Sequence, residues 1–290
     1  MERMGLVVHP RRELDSALET LREWSAAHGI DIVQVPAVGQ ERHVAPEGAT
    51  EDCDLIVALG GDGTTLAAMR AAMPARKPVL GVSCGSLGAL TAVKAPDLDE
   101  ALDRVAAGDW IPHALPALEI TGESAHAGVN DLVIVRQGAG QVVAEVEVDG
   151  ELYIRVAGDG LVIATPLGSS AYTMAAGGPI LAPRAGGMVV TPLAPHGGCA
   201  PPLVTAADSV LRVKIDPGNG GARVELDGQI EAKIDPRSLQ ELEVRLRPDL
   251  ATLVSLGGEE TMLAGLRRRR IVLDSPRILA RDDRNPVNRV

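Results

Sequence analysis

ALGGDGTTLAAM, residues Ala58 to Met69, joins the apolar run that begins at Leu55 to a helix-like stretch. Glycine at the end of a buried strand has two explanations. A tight turn takes φ > 0 cheaply only at glycine. Alternatively, glycine lets the backbone approach a phosphate, because strand–glycine–helix loops present N–H groups and a favourable helix dipole to anions. The nucleotide-binding loop that ends in Gly-Lys-Ser/Thr is excluded, since this stretch has no Lys, and the dinucleotide GxGxxG pattern fails because Leu66 stands at its last glycine. What remains is a turn, or a phosphate-type loop with the carboxylate of Asp62 inside it.

Outward from that stretch, the first third alternates. MGLVVHP, IDIVQVP, CDLIVALGG and KPVLGVSCG read as strands. Between and after them, ELDSALETLREWSAAHG places Leu14, Ala17, Leu18, Leu21 and Trp24 at helical spacing with Gly29 as a stop, and TTLAAMRAAM and DLDEALDRVAAGD read as helices. Alternation of this kind predicts a mainly parallel sheet with helices on its faces, whose ligands bind at the carboxyl ends of strands. From about residue 112 the pattern becomes short apolar runs separated by Gly, Asp and Asn, a β-rich segment with hairpin turns expected near Glu151 and at PGNGG around Gly220. The expected division is an α/β domain over 1–111 and a β-rich domain over 112–249. In the last stretch EETMLAGLRRRR reads as a short helix, and Arg267–Arg270 as a solvated face, since the chain as a whole is acidic.

Composition narrows the function classes. The 290 residues are 46% hydrophobic, so a sizeable core forms, but there is no Phe and only two Trp and two Tyr, so aliphatic side chains must fill it. A net charge of −11 and the scarcity of aromatics speak against nucleic-acid binding. Cys53, Cys84 and Cys199 have no metal-type spacing and are expected to be reduced, isolated thiols. No apolar run reaches membrane-spanning length and MERMGLVVHP is not a signal peptide, so a cytoplasmic protein without membrane association is expected.

A second stretch carries chemistry. GDGLVIATPLGSSAYTMAAGGPIL, Gly158 to Leu181, contains Asp159, then a short apolar strand, then Thr165-Pro166, and after Gly168 the cluster Ser169, Ser170 and Tyr172. So many small polar groups beside a strand suit a close-fitting polar ligand such as a ribose or purine; the alternative is a loop with capping serines. Asn130-Asp131 before the strand LVIV, and Asp227-Gly228-Gln229, read by themselves as turn residues.

Together these segments resemble the NAD kinase family. LGGDGTTL, GSLGALT, VNDLVI, the whole Gly158–Leu181 stretch, PLAPH and LDGQ match in order and approximate spacing. Lipid kinases and phosphofructokinases share the Gly-Gly-Asp-Gly loop; the Asp-Gly, Thr-Pro, Gly-Ser-Ser-Ala-Tyr series is far more specific. The resemblance implies an α/β N-terminal domain with a mainly parallel sheet, a β-rich C-terminal domain, a chain end (250–290) returning to the first domain, a site between the two, and a homodimer or homotetramer. It also implies transfer of the ATP γ-phosphoryl group to the 2′-hydroxyl of the adenosine ribose of NAD. On this basis Asp62 matches the general base. Gly60, Gly61, Gly63 and Thr64 match the phosphate loop. Asn130, Asp131, Asp159, Ser170, Ala171, Tyr172, Thr173, Met174, Ala175 and Gln229 match positions that hold the dinucleotide. Mg2+ or another divalent cation would arrive on the phosphates of ATP, without a dedicated protein metal site; polyphosphate is an alternative donor. Departures from the family pattern are Ser83 for Asn, Ala89 for Phe, Leu167 for Thr and Ala157 for Arg. Leu167 is expected to point away from the pocket. The competing readings are a same-fold kinase with another nucleotide or sugar acceptor, an inactive nucleotide-binding regulator, and a lipid kinase.

Overall fold

The computed structural model describes residues 1–86, 88–121, 126–234, 238–257 and 261–284. Met1–Gly257 forms one compact unit and Gly258–Val290 another.

The first unit begins as an α/β layer: β1 (Arg3–Val8), α1 (Asp15–His28), β2 (Asp31–Gln34), β3 (Leu55–Gly60), α2 (Asp62–Ala72), β4 (Pro78–Ser83), β5 (Val93–Lys94) and α3 (Leu98–Ala106). The parallel order is β2-β1-β3-β4. Helix α1 follows its apolar period, burying Ala17, Leu18, Leu21 and Trp24, and ends where Gly29 turns left-handed at φ 67°. It packs with α3 on one face of the sheet, locked by Trp24 Nε1, which donates to Asp103 at 2.7 Å. Helix α2 covers the opposite face. Because β1 lies between β2 and β3, the chain reverses direction across the sheet at β1/β3, and the crevice beyond these strand ends is where open α/β sheets bind ligands.

The β-rich half follows: β6 (Ile111–Thr121), β7 (His126–Gly128), β8 (Asp131–Arg136), β9 (Val142–Val148), β10 (Glu151–Gly158), β11 (Gly160–Ala164), α4 (Tyr172–Ala175), β12 (Val189–Leu193), β13 (Leu203–Val204), β14 (Val210–Asp216), β15 (Ala222–Leu226), β16 (Gln229–Ile234) and β17 (Gln240–Ser255). One antiparallel sheet runs β13-β12-β11-β8-β15-β16. It faces β6, β9, β14 and β17 across a core that includes Ile134, Ile163, Val190, Leu211, Val213 and Val244. β17 then continues into the α/β half, where Thr252 and Leu253 pair in parallel with Pro78 and Val79 of β4.

The hairpin expected near Glu151 is present, with Asp149 and Gly150 both at positive φ (52° and 86°) joining β9 to β10. The one expected at PGNGG is not. β14 belongs to the larger sheet and β15 to the six-stranded one, so this segment crosses between the sheets. Its glycines and proline specify a change of direction; they carry no information about which partner the next strand finds. In the second unit, α5 (Met262–Arg268) starts at Thr261, whose hydroxyl accepts from the Ala264 N–H, and α6 spans Pro276–Arg284. Arg267–Arg270 are exposed, and Arg267 pairs with Asp274 at 2.7 Å. No helix among the described residues is long and apolar enough to cross a membrane.

Candidate active site

The crevice at the β1/β3 switch point is lined by the end of β1 and its following turn (Val7–Pro10 and Arg12), by Val38–Gln40, by Gly61–Thr64 and by Gln229. Asp62 is therefore not in a free turn: it is the first residue of α2, in the helix turn whose N–H groups have no intrahelical partner. Its carboxylate accepts the backbone N–H of Ala89 at 3.0 Å and of Leu90 at 2.9 Å, which ties the loop after β4 to the start of α2. The glycines divide by role. Gly60 is buried in β3, and a Cβ there would lie 2.2 Å from Thr64 Oγ1, so this glycine serves strand–helix packing. Gly63 has open space around its Cα, and Gly61 has only the Arg12 guanidinium near it, at 3.9 Å.

Gln229 reaches the same crevice from the start of β16, with its Oε1 3.8 Å from where a Cβ on Gly39 would stand. Asp227, which reads in sequence as a plain turn residue, has φ 51° and a carboxylate that accepts the N–H groups of Val129 (2.9 Å), Asn130 (2.7 Å) and Asp131 (3.4 Å). This side chain fixes the Asn130-Asp131 segment. Burial comes first in holding Asp227 above the usual aspartate range, opposed by those N–H groups and by Arg70. Asp131 is 6% exposed. Burial, then the neighbouring Asp227 charge, raises it from 3.8 to about 7, against the pull of the Tyr172 backbone N–H. Paired carboxyls displaced in this way mark functional sites more often than ordinary surface.

Arg70, two turns along α2 from Asp62, bridges to this cluster. It donates to Leu226 O at 3.2 Å and to Glu231 at 2.5 Å, and Glu231 also meets His126 at 3.1 Å. The helix that starts with Asp62 is thereby fastened to the β15–β16 turn that carries Gln229. Sequence reasoning missed Arg70, Glu231 and His126, because no local pattern joins them.

The Thr165–Ala175 segment is more structural than its composition suggests. Thr165 Oγ1 donates to Val129 O at 2.7 Å and accepts from Gly168 N, while Ser169 Oγ donates to Pro166 O and accepts from Leu181 N, so these two hydroxyls close the loop on itself. Gly168 is required because a Cβ there would sit 2.0 Å from Asn130 O. Ser170 Oγ donates to Leu167 O at 3.1 Å. Thr173 is fully buried and Met174 half-buried, while Tyr172 and Ala175 on α4, and Ala171 just before it, are exposed. Leu167 packs against the core that holds Leu66, Leu90 and Val129, and is not among the residues that line the crevice. Asp159 is not with this group. It stands at the far end of β11 from Ala164, roughly 15 Å away by strand rise, and pairs with Arg136 at 2.6 Å. Of the departures, Ser83 donates to Gly85 O and Ser86 O inside the loop that Asp62 holds, Ala89 is exposed, and Ala157 is half-buried in β10. Leu87 of GSLGALT lies outside the described residues.

The model of the ATP-NAD kinase N-terminal domain matches residues 4–110, and that of the ATP-NAD kinase C-terminal domain matches residues 129–256. NAD kinase of Chlorobaculum tepidum is 34% identical, over 78% of this chain and 82% of that protein. NAD kinase 1 of Streptomyces coelicolor is 33% identical, over 97% and 88%. Among solved structures, yeast NADH kinase complexed with NADH superposes with a TM-score of 0.78 at 22% identity, covering 95% of this chain and 89% of that one. An NAD kinase from Archaeoglobus fulgidus in complex with ATP gives 0.72 at 20%, covering 93% and 100%. At these identities the structural likeness speaks to the fold. With both halves matched and relatives above 30% identity spanning most of its length, the chain belongs to the NAD kinase family.

Proposed function

We propose that the protein transfers the γ-phosphoryl group of ATP to the 2′-hydroxyl of the adenosine ribose of NAD, forming NADP. The observation that carries this reading is the crevice at the β1/β3 switch point, which holds Asp62 with the first turn of α2 on one wall and Gln229 on another. Phosphoryl transfer asks a protein for positioning and for stabilisation of spread negative charge. Asp62 is the group that accepts the ribose proton: two backbone N–H groups orient its carboxylate, and the remaining lone pairs are available to a hydroxyl brought within reach. Asn130, Asp131, Ser170, Tyr172 and Gln229 hold the dinucleotide. Burial and the Asp227 charge raise Asp131 to about 7, so its protonated form, which can donate as well as accept, is within reach near neutral pH.

The donor enters with a divalent cation on its phosphates, where that ion neutralises charge; Asp62 is the carboxylate in the crevice that could meet it. A cytoplasmic location and a homodimer or homotetramer belong to the same reading. The test is incubation of purified protein with ATP, magnesium and NAD, with NADP detected by an NADP-specific dehydrogenase. Absence of NADP, with a folded protein, would sink the proposal.

A further inference from the structure

A phosphate loop with a carboxylate inside it raises an electrostatic problem, because Asp62 repels the polyanion that the α2 N-terminus attracts. A chain of net charge −11 does not relieve it at long range. The crevice contains one local answer. Among the described residues that line it, the only Lys or Arg is Arg12.

We propose that Arg12 binds the phosphate chain of the phosphoryl donor. The proposal rests on the kinase reading of this crevice and adds a residue to it. The side chain is exposed, and among the described residues its guanidinium has no carboxylate partner, only a long contact of Nη1 with Cys84 O at 3.5 Å. Arg3, Arg42, Arg70, Arg104 and Arg136, by contrast, each pair with an acid. The backbone that carries it is fixed by its surroundings. His9 Nδ1 accepts the backbone N–H groups of both Arg11 and Arg12 at 3.1 Å. Burial, then the charges of Arg12 and Arg11, keeps the His9 ring below its ordinary value and so preserves that nitrogen as an acceptor. Arg42 donates to Arg12 O at 3.2 Å while pairing with Asp15 at 2.9 Å.

The guanidinium thus lies over two glycines from different loops. A Cβ on Gly85 would be 2.6 Å from its Nη1, and one on Gly61 3.9 Å from its Nη2. A phosphate at the first turn of α2 meets backbone N–H groups from one side and a planar, permanently charged fork from the other, the pairing in which Arg is strongest. Gln40 lines the same crevice, and neither atom of its amide has a hydrogen-bond partner among the described residues.

The experiment titrates wild type, Arg12→Met and Arg12→Lys with inorganic tripolyphosphate and with ATP by calorimetry, and measures KM for ATP and for NAD separately. Because Arg12 is exposed, the fold tolerates both changes. Expected for Arg12→Met is a loss of tripolyphosphate and ATP affinity of about 10- to 100-fold, with KM for NAD changed less than about threefold and Arg12→Lys intermediate. Equal affinity of Arg12→Met and wild type for tripolyphosphate overturns the proposal, as does a wild type that binds neither tripolyphosphate nor ATP. A wild type that makes no NADP but binds tripolyphosphate through Arg12 would leave this role standing and remove only the acceptor.

Discussion

A Cβ on Gly88 would lie 2.0 Å from Asp62 Oδ1, so the loop after β4 folds directly against the carboxylate that starts α2. Gly88→Ala should therefore push Asp62 from its two N–H partners. The expected cost is about 1–3 kcal/mol of stability, as for other overpacked sites, together with a fall in turnover. In an Asp62→Ala background the clash has no partner, so the added alanine should cost much less. Denaturant midpoints for the four proteins of this double-mutant cycle test the coupling; simple additivity would refute it.

Asp62→Asn removes the base and also one of two acceptors. Turnover is expected to drop roughly 10²–10⁴-fold. Stability should fall too, by about 1 kcal/mol, because an amide N–H₂ is left facing either Ala89 N–H or Leu90 N–H. Near-normal turnover in steady-state assays would dismiss Asp62 as the base.

Asp131 supplies a pH dependence of known sign. Its folded value, about 7, lies above its ordinary 3.8. The folded state therefore holds a proton that the unfolded state has released between these values. The group's stabilising contribution is complete below pH ~4 and is lost as pH rises through ~7. Asp131→Asn lacks this loss, so it should exceed wild type in stability at pH 8 by on the order of 2–4 kcal/mol. The advantage should shrink towards pH 4. Melting curves across that range decide the matter; a difference independent of pH would contradict the assignment.

Arg70 and Glu231 form a largely shielded pair, with side chains 11% and 12% exposed. Arg70→Met leaves Glu231 with His126 as its remaining ionic partner among the described residues. Removal of one partner from such a pair costs about 3–5 kcal/mol. Urea titration should show this, and the affinity for NAD, measured below the unfolding transition, should weaken because the β15–β16 turn is no longer fastened to α2.

Leu167→Thr tests a position where the resemblance leads one to expect a hydroxyl. Since Leu167 packs against the Leu66 and Val129 core, the change should lower stability by about 1–3 kcal/mol. It should alter kcat/KM for NAD by less than tenfold, or ~1.4 kcal/mol. A hundredfold gain in kcat/KM would show that the native pocket is built for another acceptor.

The strand-glycine-helix arrangement around Asp62 was legible in sequence because apolar period, glycine and helix spacing are all local. The same holds for the Gly29 stop and the Asp149-Gly150 hairpin. Contacts set by tertiary approach were not legible. Asp227 reads as a hairpin residue, and only the fold brings three N–H groups of the 129–131 segment to its carboxylate. Arg12 looks like one of two arginines after a proline until the His9 turn lays it over Gly61 and Gly85. The hydroxyls of Thr165 and Ser169, whose composition suited a ligand, meet backbone atoms of their own loop and of the Val129 segment, contacts that local pattern does not reveal.

β17 pairs with β14 and β6 in its first part, and with β6 and β4 in its last. The order of synthesis then matters. A ribosome releases β1 to β4 long before residues 252 and 253 emerge, so the Pro78–Val79 edge of β4 waits for a strand from the other end of the compact unit. Such long sequence separation slows folding and leaves an open parallel edge during the delay. The same strand makes it difficult for either half to melt alone, since pulling β17 from one sheet unpairs the other. Chains truncated before Gln240 should therefore aggregate through that edge rather than persist as a stable N-terminal fragment.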